Sequence, residues 1–303
     1  MLQIENNSKT QTTKRVKNVK ILAHQFILTY LCQKIQNMNA PIKYFGGKNG
    51  MFGKIIPHFP DPSQYTTYIE PFGGSYAIGF HMEHIPEIEI YNDLDENVYT
   101  LYKVIADKDM FMEFKSKCDI YPYSEQFRDE FRERLKDRGI SEVERAFYFF
   151  YVNRTSHNGI GGMSVNMVVR RGMAKSVSDY LSTVDKLVEF HQRMSHMVIM
   201  HRDGIALMNR YREYDRSFMY CDPPYAWDTR GETRYSVDMD NEMQQKFIDE
   251  CINSKAKLLI SGYDCEMYDQ LTAAGFTKIN FDVNTVTGTR KKKTKVETLW
   301  KNY

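Results

Sequence analysis

The chain lacks the cysteine patterns that build disulfide frameworks or structural zinc sites. Its five cysteines (Cys32, Cys118, Cys221, Cys251, Cys265) are odd in number and widely spaced, with no C-x-x-C pair. That argues for a reducing, cytoplasmic setting and for no metal cluster. Long apolar runs are lacking too. The longest, residues 23–32, is interrupted by His24, Gln25 and Thr29 and reaches about half of the ~20 residues a membrane span needs. It carries no small-residue cleavage site, so neither membrane insertion nor export is expected. Charge of one sign is scarce. Lys and Arg number 41 against 39 Asp and Glu, so any nucleic-acid face must come from local clustering. There is no G-x-x-x-x-G-K-[ST] pattern, which argues against a phosphate-cradling loop.

What is present is an ordinary globular composition, 42% hydrophobic over 303 residues, enough for a large α/β domain or a catalytic domain with an insert. Residues 1–37 stand apart, rich in Lys, Asn, Gln and Thr and without Gly or Pro, ahead of an internal Met38. They read as a frayed or helical extension, as translation begun upstream of a natural start, or as a DNA-contacting arm built on Lys14, Arg15, Lys17 and Lys20. Short strand patterns follow at 66–70, 87–91, 198–201, 218–221 and 257–261. A helical stretch at 267–274 is closed by Gly275. Ile279, Phe281 and Val283 alternate with polar residues, and the terminal 297–302 segment does so less cleanly. Strands separated by helices predict a doubly wound sheet with crossovers. Between about 106 and 185 the texture is helical. Phe127, Phe131 and Leu135 recur every four residues until Gly139, and Ser141 with Glu144 forms a capping box for a second helix through Tyr151. The aromatics Phe147 to Tyr151 are expected in its core.

Three constellations carry chemistry. The first is Asp222-Pro223-Pro224-Tyr225, directly after the strand at 218–221. Two prolines stop the ladder and fix two φ angles, which sets the carboxylate before them and the ring after them in a fixed relation. Asp222 and the Pro223 carbonyl can accept hydrogen bonds from an amine on a planar ring while Tyr225 stacks on that ring; the plain alternative is a tight turn. The second is Glu70-Pro71-Phe72-Gly73-Gly74-Ser75, a strand running into a glycine-rich turn. Asp93 ends the next strand 20 residues beyond Gly73, a separation suited to ribose hydroxyls. The third, Tyr44-Phe45-Gly46-Gly47-Lys48, permits close backbone approach or is simply a turn.

The order of these motifs, with Asn153-Arg154 and Asn158-Gly159 in the helical block before Asp-Pro-Pro-Tyr, resembles the Dam-like DNA adenine methyltransferases from about residue 40 to 303. The resemblance implies an α/β fold: a Rossmann-like S-adenosylmethionine-dependent methyltransferase sheet (38–105 and 191–303) with a mainly helical target-recognition insert (106–190). It implies transfer of a methyl group from S-adenosylmethionine, leaving S-adenosylhomocysteine, to the N6 amine of an adenine flipped from double-stranded DNA, with no metal. Tyr44, Gly46, Gly47, Lys48, Glu70, Pro71, Phe72, Gly73, Gly74, Asp93 and Asp222 would then line the cofactor site. Asp222, Pro223, Pro224 and Tyr225 would hold the base. DNA contacts are expected from Asn153, Arg154, His157, Asn158, Arg170 and Arg171, and from the basic run Arg290, Lys291, Lys292 and Lys293, which otherwise reads as a solvated loop. Tyr44 stands where the family has tryptophan, and Phe45 where it has a small residue. Tyr76 stands where the glycine loop continues with Gly or Ala, and is expected to bear on loop geometry and cofactor affinity. Asp-Pro-Pro-Tyr alone also fits amino-cytosine or RNA methyltransferases, and a non-catalytic DNA-binding protein of this fold is the reading from another class. A cognate restriction endonuclease and a monomer or weak dimer complete the expectations.

Overall fold

The computed structural model describes residues 38–44, 47–159, 161–163, 165–224, 239–284 and 294–303. The extension at 1–37, Phe45, Gly46, Tyr225 and the run Arg290 to Lys293 lie outside the described residues.

Among the described residues, seven strands form one sheet: β1 Thr67–Glu70, β2 Ile88–Asn92, β5 Val198–Met200, β6 Ser217–Cys221, β7 Lys257–Tyr263, β8 Thr277–Asn284 and β9 Thr294–Lys301. Their order is β5-β2-β1-β6-β7-β9-β8. The first five neighbours run parallel, whereas β9 is antiparallel to both β7 and β8. The central strands are buried on both faces; all five residues of β6 are inaccessible, as a parallel sheet covered by helices requires. Successive side chains point to opposite faces, and the core divides accordingly. Tyr68, Tyr91, Tyr220, Leu259 and Leu299 pack on one face; their neighbours Ile69, Ile90, Met219, Ile260 and Trp300 pack on the other.

The helices are α1 Phe52–Ile55, α2 Glu96–Ala106, α3 Lys108–Ile120, α4 Glu125–Arg134, α5 Glu142–Thr155, α6 Lys175–Asp185, α7 Leu187–Met194, α8 Gly204–Tyr211, α9 Asn241–Ile252 and α10 Asp269–Ala273. Side-chain caps set many of their starts. Asp95, Asp107, Asp203 and Asp240 each accept from the first-turn N–H groups of the helix that follows, and Ser141 with Glu144 forms the expected capping box of α5. Such caps contribute about 0.5–2 kcal/mol each. Helix α5 packs on α2, α3 and α4. Phe147, Phe150 and Tyr151 are buried as expected, in the same continuous cluster as Leu259 and Leu299 of the sheet. Between α5 and α6 runs a ribbon the sequence patterns do not announce, β3 Val169–Arg170 paired with β4 Met173–Ala174. It turns through Arg171 and Gly172, both at positive φ, the geometry of a two-residue hairpin loop.

The chain leaves β1 for β2 on one side, and β6 returns to flank β1 on the other. In such sheets ligands bind outside the carboxyl ends of the strands at this reversal.

Candidate active site

Four parallel strands deliver an acidic residue to that crevice: Glu70 ends β1, Asp93 follows β2, Asp203 follows β5 and Asp222 follows β6. With Tyr44, Gly47, Lys48, Pro71, Phe72, Gly73, Gly74 and Pro224 they line one cleft, the concave setting expected of a small-molecule site. Pro223 is buried beside them. The three motifs therefore converge, from positions 44–48, 70–75 and 222–224.

The glycine turn is shaped by its neighbours. A Cβ on Gly73 would lie 2.4 Å from the Tyr91 ring, and one on Gly74, which sits at φ +49°, would lie 3.0 Å from the Tyr44 ring. The Gly74 N–H donates to Asp93 Oδ2 and the Asp95 N–H to Asp93 Oδ1, both at 2.7 Å. Burial nonetheless pushes the Asp93 carboxyl up to about 6, against the pull of those two N–H groups. Glu70 is deeper; burial holds its carboxyl well above the usual range, although the Tyr68 hydroxyl and the Gly79 N–H both donate to Oε1.

At the proline turn, Lys48 Nζ lies 2.8 Å from Asp222 Oδ1 and 3.3 Å from Glu297 Oε1 of β9. The Ser261 hydroxyl of β7 also donates to Asp222 Oδ1, at 2.9 Å. Thus one Asp222 oxygen is engaged, while among the described residues the other accepts no hydrogen bond and the side chain stays 21% exposed. Among the described residues lining the cleft, Lys48 is the cationic side chain beside the acids Asp93, Asp203 and Asp222, a balance that suits a cationic ligand. Among the described residues no group of three or more His, Cys, Asp or Glu side chains could hold a metal ion.

Tyr76 bears on the glycine turn through its backbone, whose N–H donates to Gly73 O at 2.7 Å. It adopts φ 56°, but its side chain is fully buried, packs against Phe80 and Tyr91, and donates to Glu89 Oε1 at 2.5 Å. Its ring lies over Gly79, whose Cβ would come within 2.1 Å. The bulky side chain is thus absorbed by the core. Asp203 and Gly204 were missed in the sequence patterns, as were Met239 and Met243 at the cleft wall. An acid at or shortly beyond a strand's carboxyl end, as at Glu70, Asp93 and Asp222, is the signal that singles out Asp203.

The expected DNA contacts separate into two groups. Asn153 is buried, and its amide is spent on the Lys43 main chain: Lys43 N–H donates to Oδ1 at 2.8 Å and Nδ2 donates to Lys43 O at 2.7 Å. It joins the insert to the segment preceding Tyr44 and presents nothing to DNA, a correction to the expectation. Gly159, at φ 85°, closes against this clamp, since its Cβ would meet Lys43 O at 2.7 Å. His157, Asn158, Arg170 and Arg171 are exposed. The first three, with Arg154, Lys43 and Lys175, line a second, polar cleft. There burial and the nearby Arg154 charge bring Lys43 down to about 8, and burial brings Arg154 down to about 10. Beside this cleft the ribbon and the residues leading into it expose Met167 (87%), Val168 and Val169.

Among the described residues no helix is long and apolar enough to cross a membrane, and four cysteines are free thiols. The chain is similar to the DNA adenine methylase of Escherichia coli (strain K12), 23% identical over 281 residues that cover 86% of this chain and 94% of that protein. The DNA adenine methylase of Salmonella typhimurium LT2 is 23% identical over 272 residues, 83% of this chain and 91% of its own length. The Type II methyltransferase M.CviBI of Paramecium bursaria Chlorella virus NC1A is 23% identical over 197 residues, 62% of this chain and 69% of its own. The model of the D12 class N6 adenine-specific DNA methyltransferases matches residues 44–287, a span holding every described acid of the crevice, and the chain belongs to that family.

Proposed function

We propose that the crevice binds S-adenosylmethionine and that the Asp222-Pro223-Pro224 turn presents the N6 amine of an adenine, extruded from duplex DNA, for site-specific methylation. When bound, the cofactor supplies an electrophilic methyl group on a sulfonium. The residues present fit such a group: glycines where a Cβ would strike Tyr91 or Tyr44, buried acids at the strand ends, and a charge balance suited to a cation. Asp93 accepts from hydroxyl donors with the capacity its two N–H partners leave. Lys48 and Ser261 hold Asp222 Oδ1, so that Oδ2 accepts from the amine and orients the nitrogen lone pair. Asp222 need not be a strong base, because the amine proton becomes acidic only as methylation begins. The gain is positioning plus electrostatics, with no covalent enzyme intermediate.

Extruding the base costs a few kcal/mol. The reading gives the compensating contacts to Arg154, His157, Asn158, Arg170 and Arg171, with the exposed ribbon entering a groove. Arginines there suit phosphates, and the apolar side chains suit thymine methyls.

The observation that carries the proposal is the half-engaged Asp222 carboxylate at the mouth of a cleft walled by Gly73 and Gly74. The test is incubation with methyl-labelled S-adenosylmethionine and duplexes of varied sequence, followed by nucleoside digestion. Label in N6-methyladenine is expected. Label confined to cytosine or to RNA would transfer the site to another amine, and cofactor binding without any label would make the chain a non-catalytic DNA binder.

A further inference from the structure

The proline turn cannot tie itself down. Pro223 and Pro224 both lack an N–H, so two successive residues offer the rest of the fold only carbonyls, and any anchor must be a donor from outside. That donor is on α9. Gln244 is fully buried, and its Nε2 donates to Pro224 O at 2.6 Å. The Tyr268 hydroxyl donates to Gln244 Oε1 at 2.8 Å. The orientation of the amide follows from the partners: Pro224 O can only accept, so the nitrogen must face it and the oxygen is left for the phenol. Tyr268 is itself buried against Phe247 and Trp300, so the strut starts from a fixed point in the core. The neighbouring buried side chains Phe247, Ile248 and Cys251 are apolar, and the helix's other buried polar residue, Glu250, is engaged with Asn209 and Arg212. Packing alone would be met there by a methionine or leucine. The same helix start brings Met239 and Met243 to the wall of the cofactor cleft.

We propose that Gln244, oriented by Tyr268, is a positioning residue for methyl transfer. It fixes the Pro224 carbonyl, and with it the end of the turn, two residues beyond the Asp222 carboxylate. The turn is then held at both ends, by Lys48 and Ser261 on Asp222 and by Gln244 on Pro224. This inference rests on the reading of the turn as the methyl-transfer site.

The test is single-turnover methylation of duplex DNA by the full chain, alongside equilibrium binding of S-adenosylmethionine. Wild-type protein that binds the cofactor but leaves adenine unmethylated overturns the underlying reading, independently of Gln244. With active wild type, Gln244→Met keeps length and volume but removes the donor, and its single-turnover rate is expected to fall about 10- to 100-fold while cofactor affinity stays within about twofold. Tyr268→Phe keeps the donor but frees it, and a smaller loss is expected. In Gln244→Glu the introduced carboxyl repels Pro224 O when ionised and donates to it when protonated. Its rate relative to wild type is therefore expected to recover as pH falls. A Gln244→Met rate within about twofold of wild type, a parallel loss of rate and cofactor affinity, or a pH-independent ratio for Gln244→Glu would overturn the assignment.

Discussion

Lys48 Nζ sits 2.8 Å from Asp222 Oδ1 and 3.3 Å from Glu297 Oε1, so one buried ammonium joins the first motif of the chain to the proline turn and to the last strand. Removing either end of such a set has different consequences. Lys48→Met removes the cation beside buried Glu297 and part-exposed Asp222 and is expected to cost up to about 3–5 kcal/mol, seen as a fall in the denaturant midpoint. Asp222→Ala leaves Lys48 its bond to Glu297, so the fold is expected to survive. Transfer should drop by about 10²–10³ or more, the scale of losing one aimed electrostatic group. Wild-type turnover by Asp222→Ala in a methyl-transfer assay would remove this residue from the site.

Gly73 touches the Tyr91 ring where any Cβ would be at 2.4 Å. Gly73→Ala must push that ring or move the turn, at about 1–3 kcal/mol. Because Tyr91 also donates to Gly74 O at 2.8 Å, cofactor affinity should fall with stability. Calorimetric titration and thermal melting on the same preparation check both; an alanine variant with unchanged affinity would mean the turn does not border the cofactor.

Asp93 gives the site a pH dependence. Its carboxyl titrates at about 6 in the fold because it is buried, above the roughly 3.9 of an unfolded chain. The folded state thus keeps a proton that the unfolded state has released. The stability this contributes is full below the unfolded value and lost as pH rises through the folded one. Ligands that donate to the carboxylate favour its ionised form, so S-adenosylmethionine should bind more tightly as pH rises through about 6. Asp93→Asn should flatten that dependence and weaken binding about 10- to 100-fold, the worth of a charged hydrogen bond. Titrations on both proteins across this range decide, and a pH-independent wild-type affinity would count against ionisation of Asp93 on binding.

On the ribbon, Arg171 donates to Ser182 Oγ at 2.9 Å yet remains exposed. Arg171→Ala is expected to weaken DNA binding uniformly and to lower the slope of log K against log salt by about 1. Met167→Ser with Val169→Ser should leave the slope and reduce discrimination between sites instead. Fluorescence anisotropy with cognate and scrambled duplexes over a salt series separates the two; a slope unchanged in Arg171→Ala would take this arginine off the phosphates.

Much of this was legible from residues alone, for identifiable reasons. The central strands β1 and β6 announce themselves because they are buried and lead into an acid, Glu70 or Asp222; the Ser141–Glu144 box and Gly275 are local codes read one turn at a time. The carboxylates converge because each sits at a strand's carboxyl end, a consequence of topology. What stayed hidden depends on partners distant in sequence. Nothing near Asn153 says that its amide will close on Lys43, 110 positions away. Tyr76 looks disruptive in a glycine loop until Glu89 and Tyr91 are in place around it. The β3–β4 ribbon lacks the buried alternation by which strands are usually recognised, since its apolar residues face outward.

The antiparallel β9 has a further consequence for how the molecule comes to exist. It lies between β7 and β8, so β8, although synthesised earlier, has no edge on which to dock until residues 294–301 arrive. During synthesis the β7 edge stays open, and Lys48 waits for Glu297 until the final strand slides into its slot. Assembly of the Lys48–Glu297 contact beside Asp222 is thereby coupled to the arrival of residues 294–301, and a chain without β9 would leave β7 and β8 unjoined.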